Sequence, residues 1–193
     1  MGNARPDRKK TELTDGRVLL RPYQNQYVKP TYQAIKESTR ELAEWLPFAH
    51  EDYSIKETAA WVKSRPAAWK KGASYEFAIF WAEDRTIVGG CGLNGINESG
   101  KCANLGYWVK TNHTGKGIAP AATILLARWG FEVLALNRIE ILVAVGNARS
   151  LRVAEKAGAK REGILRNRIT VGDKVYDAVM HSLIPGDIKT AEK

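Results

Sequence analysis

Cysteine is nearly absent from this 193-residue chain: Cys91 and Cys102 are the only two, too few for a disulfide framework or a cysteine-built zinc site. Histidine is as scarce, with His50, His113 and His181 scattered along the sequence, so no cluster has metal-ligand spacing and no metal is expected. No apolar run approaches bilayer-spanning length, and the first fifteen residues are polar and basic where a secretory leader would be apolar, so a cytoplasmic protein without membrane contact is expected. Met1-Gly2 begins like a myristoylation signal, but Pro6 stands where that signal needs Ser or Thr. A P-loop is missing too. Gly115-Lys116-Gly117 is followed by Ile118 and Ala119 without the required Ser or Thr, and Lys110 occupies the place of its leading glycine, which disfavours nucleotide hydrolysis.

The composition that remains, 44% hydrophobic and 26% charged, is that of an ordinary globular protein of one-domain length. Thirty basic against twenty-one acidic residues give a net charge of +9, which favours anionic partners such as a phosphorylated cofactor. Part of that excess sits near the start, where Arg5, Arg8, Lys9 and Lys10 face only Asp7, so direct nucleic-acid binding is not expected. Residues 1–15 read as a flexible basic head, 16–185 as a single domain and 186–193 as a polar tail, without repeats or an internal linker.

Along the chain, Arg17-Val18-Leu19-Leu20-Arg21 reads as a first strand stopped by Pro22, followed by helical stretches over 25–37 and 39–46. Ser54 with Glu57 three residues on forms a capping box for a helix that ends by Gly72. Residues 77–81 and 87–92 read as antiparallel strands, 96–100 as a turn and 102–109 as the next strand. Ile118, Ala122, Leu125, Leu126 and Trp129 keep helical spacing, with Pro120 in the first turn, where its missing N–H costs nothing. The nearly unbroken apolar run 139–145 predicts a strand buried on both faces, and strand–helix–strand predicts a right-handed parallel crossover. Asn147 can cap a helix ended by Gly158, and a closing hairpin turns at Gly172-Asp173.

The most informative stretch is 105–119, Leu-Gly-Tyr-Trp-Val-Lys-Thr-Asn-His-Thr-Gly-Lys-Gly-Ile-Ala. A strand feeding glycines that open a helix aims backbone N–H groups and a helix dipole at one anion. Gly90-Cys91-Gly92-Leu93-Asn94-Gly95 matches a dinucleotide fingerprint as a string, but no helix follows to receive a pyrophosphate.

Taken with Asn147-Ala148-Arg149-Ser150, this region resembles the cofactor core of the GNAT superfamily of acetyl-coenzyme A-dependent N-acetyltransferases. The Leu-Gly-Tyr-Trp-Val strand, the Asn-x-x-Ser turn, the Glu162-Gly163 to Tyr176-Asp177 segment and Glu41-Leu42-Ala43-Glu44-Trp45-Leu46-Pro47 are similar to the branch that acetylates ribosomal-protein N-termini. The resemblance implies an α+β fold with a mixed, mostly antiparallel sheet of about seven strands, a central splayed parallel pair and flanking helices. It implies acetyl-CoA as co-substrate, with the pantetheine held by the backbone around Trp108 and Val109 and the pyrophosphate by Thr114, Gly115, Lys116, Gly117, Ile118 and Ala119. Asn147 and Ser150 would contact the cofactor arm, and Ser150 would act as general acid toward the leaving thiolate. Glu44 is a candidate proton acceptor, and Trp45 a candidate wall of the acceptor pocket. Trp61 and Trp69 are expected on the same overhanging helices. Two departures stand out: Thr114 occupies the family's Gln/Arg position, and Asn104 the place of a Glu often given the role of base. The implied acceptor is a protein N-terminal amine; a small amine, or a non-catalytic acetyl-CoA-binding module, remain alternatives. A monomer or homodimer is expected.

Overall fold

The structure, a computed structural model, describes residues 5–188. Eight strands form one sheet in the order β1-β2-β3-β4-β5-β6-β8-β7. They are β1 (Leu13–Thr14), β2 (Val18–Pro22), β3 (Tyr75–Trp81), β4 (Ile87–Asn97), β5 (Cys102–Val109), β6 (Arg138–Ala144), β7 (Lys160–Val171) and β8 (Lys174–Leu183). The helices are α1 (Val28–Lys36), α2 (Thr39–Ala43), α3 (Ile55–Lys71), α4 (Ile118–Leu134) and α5 (Ala148–Lys156).

The extra strand relative to the expected seven is β1, two residues inside the stretch read as a basic head. Leu13 and Thr14 pair with Leu20 and Leu19. That stretch is tied down further by Trp69 Nε1, which donates to the Pro6 carbonyl at 2.8 Å, and by Arg8, which donates to the Tyr23 carbonyl at 2.6 Å. Residues 1–4 and 189–193, from the head and tail, lie outside the described residues. A second difference concerns 93–97. Read from sequence as the approach to a turn, these residues continue β4, with an irregularity between Asn94 and Asn97. The Gly90–Gly95 string is therefore mid-strand: Gly90 and Gly92 let neighbouring side chains cross the sheet surface.

Local chemistry explains the helix ends. Ser54 N donates to Glu57 Oε2 at 2.9 Å, and the Ser54 hydroxyl donates to the same oxygen at 2.8 Å. These bonds, the hydroxyl's above all, hold the Glu57 carboxyl below its usual range. Asn147 Oδ1 accepts from Ser150 N at 3.1 Å, the N-cap bond of α5. Gly117, at φ +77°, is the N-cap of α4, and Gly115 stands at φ +80°. These are conformations that a side chain disfavours.

One sheet face packs on α4 and α5. Ala103 and Leu105 of β5, with Ile139, Ile141 and Val143 of β6, share a core with Ile118, Leu126, Trp129 and Ala154. The other face carries α1–α3, with Trp108 packed against Ile35, Leu42, Ala49 and Tyr53. Alternation along β5 thus sends Tyr107 and Trp108 to opposite layers.

Every strand pairing is antiparallel except β5 with β6, and that parallel pairing lasts only from Cys102↔Arg138 to Asn104↔Glu140. Beyond it β5 remains paired with β4 as far as Val109, and β6 with β8 as far as Ala144. Leu105–Val109 and Ile141–Ala144 consequently diverge, as a splayed pair should.

Candidate functional site

A cleft of about 840 Å³ opens where β5 and β6 separate. Its edge on β5 carries backbone groups freed by the splay. Lys110 N donates to Val88 O at 2.8 Å, making 110 and 88 a hydrogen-bonded pair in register with Gly89↔Val109. Antiparallel alternation then turns the N–H and C=O of Tyr107 and Val109 away from β4 and toward the splay. Of the two residues expected to hold an extended ligand, Val109 offers backbone and Trp108 offers its ring.

One end of the cleft is the glycine loop. Thr114, Gly115, Gly117, Ile118 and Ala119 line it, so the first N–H groups of the 17-residue α4 face the opening. Lys116 is exposed and does not line the cleft. The Thr114 hydroxyl donates to Thr111 O at 2.8 Å, fixing the turn before the loop. Positive charge reaches this end from residues the sequence did not single out as ligands. The Arg17 guanidinium lies so close to Gly117 that a Cβ there would stand 2.8 Å from it. Arg149, Arg152 and Lys156 line the cleft from α5, one turn apart on a single helix face.

The middle of the cleft holds Asn147 and Ser150, whose side chains α5 presents from its first turn. Ser150 has a partner that sequence reasoning missed. Tyr107 donates to Ser150 O at 3.0 Å, and its hydroxyl lies 2.9 Å from Ser150 Oγ. Burial pushes the Tyr107 phenol up to about 12, against a smaller opposite pull from the Ser150 hydrogen bond, so it stays a proton donor at neutral pH. The signal was present in the Gly-Tyr-Trp string; what the sequence could not supply is which layer each ring enters.

The far wall is acidic and aromatic. Glu41, Glu44 and Trp45 line it, with Glu41 and Glu44 exposed on the rim. The Thr111 hydroxyl donates to Glu41 at 3.2 Å, and the Trp45 ring lies 5.7 Å from that of Tyr176. Trp61 and Trp69, expected nearby, are elsewhere. Trp69 is core, clustered with Tyr75, Phe77 and Trp129, and Trp61 stacks with Arg65 on the outside of α3. Helical spacing placed them on a helix but could not say which side faced the cleft. Asn104 is engaged by its neighbour, donating to Asn94 Oδ1 at 3.1 Å. Of the three histidines, His113 lines the cleft, His50 pairs with Glu57 at 2.8 Å and His181 is fully buried.

Comparison with known proteins bears on what such a cleft is for. Residues 17–160 match the family described as "Acetyltransferase (GNAT) domain". The chain is 34% identical over 114 residues to "Uncharacterized N-acetyltransferase p20" of Bacillus licheniformis, covering 59% of this chain and 64% of the relative, so the chain spans just under two thirds of that protein's length. It is 28% identical over 158 residues to the "Ribosomal-protein-serine acetyltransferase" of Escherichia coli strain K12, covering 82% of this chain and 87% of the relative. The solved structure of Mycobacterium smegmatis RimJ in complex with CoA-disulfide superposes with a TM-score of 0.83 at 23% identity, covering 94% of this chain and 89% of that one.

Proposed function

Since the chain belongs to the GNAT acetyltransferase family, we propose that it transfers the acetyl group of acetyl-CoA to the N-terminal α-amine of a protein, such as a ribosomal protein. The observation that carries this reading is the splayed β5–β6 pair opening onto a glycine-capped helix end, with Ser150 between them. The residues suit acetyl-CoA. An extended pantetheine arm can add to the free edge of β5 at Tyr107 and Val109 as a further strand would. A pyrophosphate fits the N–H groups of Gly115 to Ala119, with Arg17 supplying the side-chain cation that Thr114 does not. Arg149, Arg152 and Lys156 give further phosphates a cationic border.

Bound there, acetyl-CoA supplies an activated acyl carbon and a sulfur leaving group. The protein's part is positioning and proton management. The Tyr107 proton goes to Ser150 O at 3.0 Å, which leaves the Ser150 hydroxyl, 2.9 Å from the Tyr107 oxygen, to carry its own proton and turn it to the departing sulfur as general acid. The Val109 N–H serves as a fixed donor to the carbonyl oxygen as charge develops on it. Glu41 and Glu44 make the opposite mouth attractive to an ammonium, and Trp45 forms the apolar side against which the first side chain of the acceptor rests. An α-amine has an unperturbed pKa of about 7.7–8.0, so much of it is neutral near physiological pH, unlike lysine at about 10.4.

The test is direct. Incubation with acetyl-CoA and peptides bearing free Ser, Ala, Met or Gly N-termini, alongside small amines, should release free thiol with the peptides. Turnover confined to small amines overturns the acceptor assignment. Acetyl-CoA binding without turnover on any amine overturns the enzymatic one.

A further inference from the structure

Transfer to an amine needs somewhere for the amine's proton to go, and the residue at the resembled base position cannot take it: Asn104 is an amide, already bonded to Asn94. Of the carboxylates on the same sheet face, Glu140 of β6, the register partner of Asn104, is held by Arg138 at 2.9 Å, and Glu76 lies further in. Glu76 of β3 stands opposite Gly92 of β4, which stands opposite Gly106 of β5. The three residues form one row across the sheet, on the face that carries Trp108. Two of the row's three positions have no side chain, and the Glu76 carboxylate lies over the first of them: a Cβ on Gly92 would overlap it. The second is open, because a Cβ on Gly106 would meet nothing within 4 Å, and Gly106 itself lines the cleft. Glu76 therefore borders a vacant cell one strand spacing, about 4.8 Å, from its own perch. Gly106 lies just past Asn104, where β5 and β6 diverge, so the cell opens onto the cleft at that strand. Tyr23 Oη and Trp108 Nε1 converge beside it, both within 2.6 Å of where a Gly90 Cβ would stand.

We propose that Glu76 is the general base of the transfer, taking a proton from the acceptor amine held in the cell over Gly106. This rests on the acetyltransferase reading above. The acceptor arrives as an ammonium, and one N–H proton passes to a Glu76 oxygen, directly or through one water, and on to solvent. The freed lone pair forms the C–N bond as the C–S bond breaks. The amide nitrogen sheds its second proton, which balances the one the sulfur takes. Burial, opposed in part by the charge of Arg65 on α3, raises the Glu76 carboxyl to about 7, where a base for this step is most effective. The Tyr23 hydroxyl on the same face and the Cys91 thiol on the opposite face of β4 are both held protonated by burial, so Arg65 is the charge that opposes the effect of burial on Glu76.

The experiment compares wild type with Glu76→Gln at saturating acetyl-CoA, using a Ser- or Ala-initiated peptide. At pH 6.5 kcat should fall about 100-fold, with the acetyl-CoA Kd kept within twofold. At pH 9, where the amine is already neutral, the deficit should shrink below about tenfold. A second variant avoids the carboxylate: Gly106→Ala, at a position without left-handed φ, should raise the acceptor KM about tenfold and leave the acetyl-CoA Kd alone. Full kcat at pH 6.5 in Glu76→Gln, or a pH-independent deficit, overturns the assignment while leaving the acetyltransferase reading intact. A wild type that binds acetyl-CoA and acetylates no amine overturns both.

Discussion

The part of the cleft formed by the β5 edge and the start of α4 is built largely from backbone, whereas the wall that faces α1–α3 is built from side chains gathered over long sequence distances. On the first, β5, the glycine loop and the start of α4 are consecutive, and one uninterrupted stretch of chain makes the edge, the turn and the helix end. On the second, Glu41, Trp45 and Trp108 come from α2, the loop after it and β5. A backbone site tolerates changes of side chain, as Thr114 illustrates. A side-chain wall is remade by each substitution. The difference teaches that the backbone end can be read from one local stretch of sequence, while the side-chain wall cannot.

The largest effect expected from breaking this division is at the point where the walls meet. Ser150→Ala should lower kcat by about 100- to 1,000-fold while acetyl-CoA affinity, which as proposed rests on the β5 edge, the glycine loop and its cationic border, stays within threefold. Stopped assays of thiol release with parallel calorimetric binding check both halves. Full turnover in this variant would remove the general acid. Tyr107→Phe, which leaves Ser150 in place without its 2.9 Å partner, should cost only about 3- to 10-fold.

Glu76 gives a stability effect of opposite sign to its catalytic one. Its folded-state carboxyl is raised to about 7, mainly by burial, against about 4.3 in an unfolded chain. The native state thus holds this proton more tightly than the unfolded state does, and the contribution to stability is whole below pH 4.3 and lost as pH rises through 7. At pH 8, Glu76→Gln should therefore be more stable than wild type by about 1–3 kcal/mol. At pH 4 the two should match. Melting temperatures at the two pH values are the measurement. A destabilised Glu76→Gln at pH 8 would show that the carboxylate has a bonding partner holding it ionised.

How much of this was legible in the sequence follows the same division. The strand 102–109, the helix 118–134, the capping box at Ser54 and the Asn147 cap were readable because each is a local pattern, and local hydrogen bonds decide it. The limits of β4 were not, because whether 93–97 continue a strand depends on having Asn104 and Leu105 beside them. Arg152 in the cleft, Arg17 beside Gly117 and Glu76, the base proposed above, were unreadable for the same reason. Nothing within a few residues of Arg17 places it against Gly117, a hundred positions on. The Gly90-x-Gly92 spacing did carry a signal, though of another kind than a dinucleotide string. Glycines two apart in a strand clear one face of a sheet, and that clearing is what admits Glu76.

The backbone wall can be stressed more gently. Gly117→Val puts a β-branched residue at φ +77° and crowds Arg17, and non-glycine residues in that region cost about 1–2 kcal/mol. Acetyl-CoA affinity should weaken about 10-fold with acceptor KM unchanged.

The most pointed test of the side-chain wall separates two tryptophans that the sequence could not. Trp45 lines the cleft against Tyr176, so Trp45→Ala should raise the acceptor KM about 10-fold with little change in acetyl-CoA affinity. Trp61 is 38% exposed, edge-on to Tyr23 at 4.7 Å and beneath Arg65 at 4.6 Å, all outside the cleft. Trp61→Ala should lose roughly 1 kcal/mol of stability from those ring contacts and leave both substrate constants within twofold. The two variants remove the same atoms, one from the turn after α2 and one from α3, so a difference in acceptor KM reports position alone. Equal effects would mean that acceptor recognition extends along the outer face of α3, and that the acceptor wall is wider than the cleft.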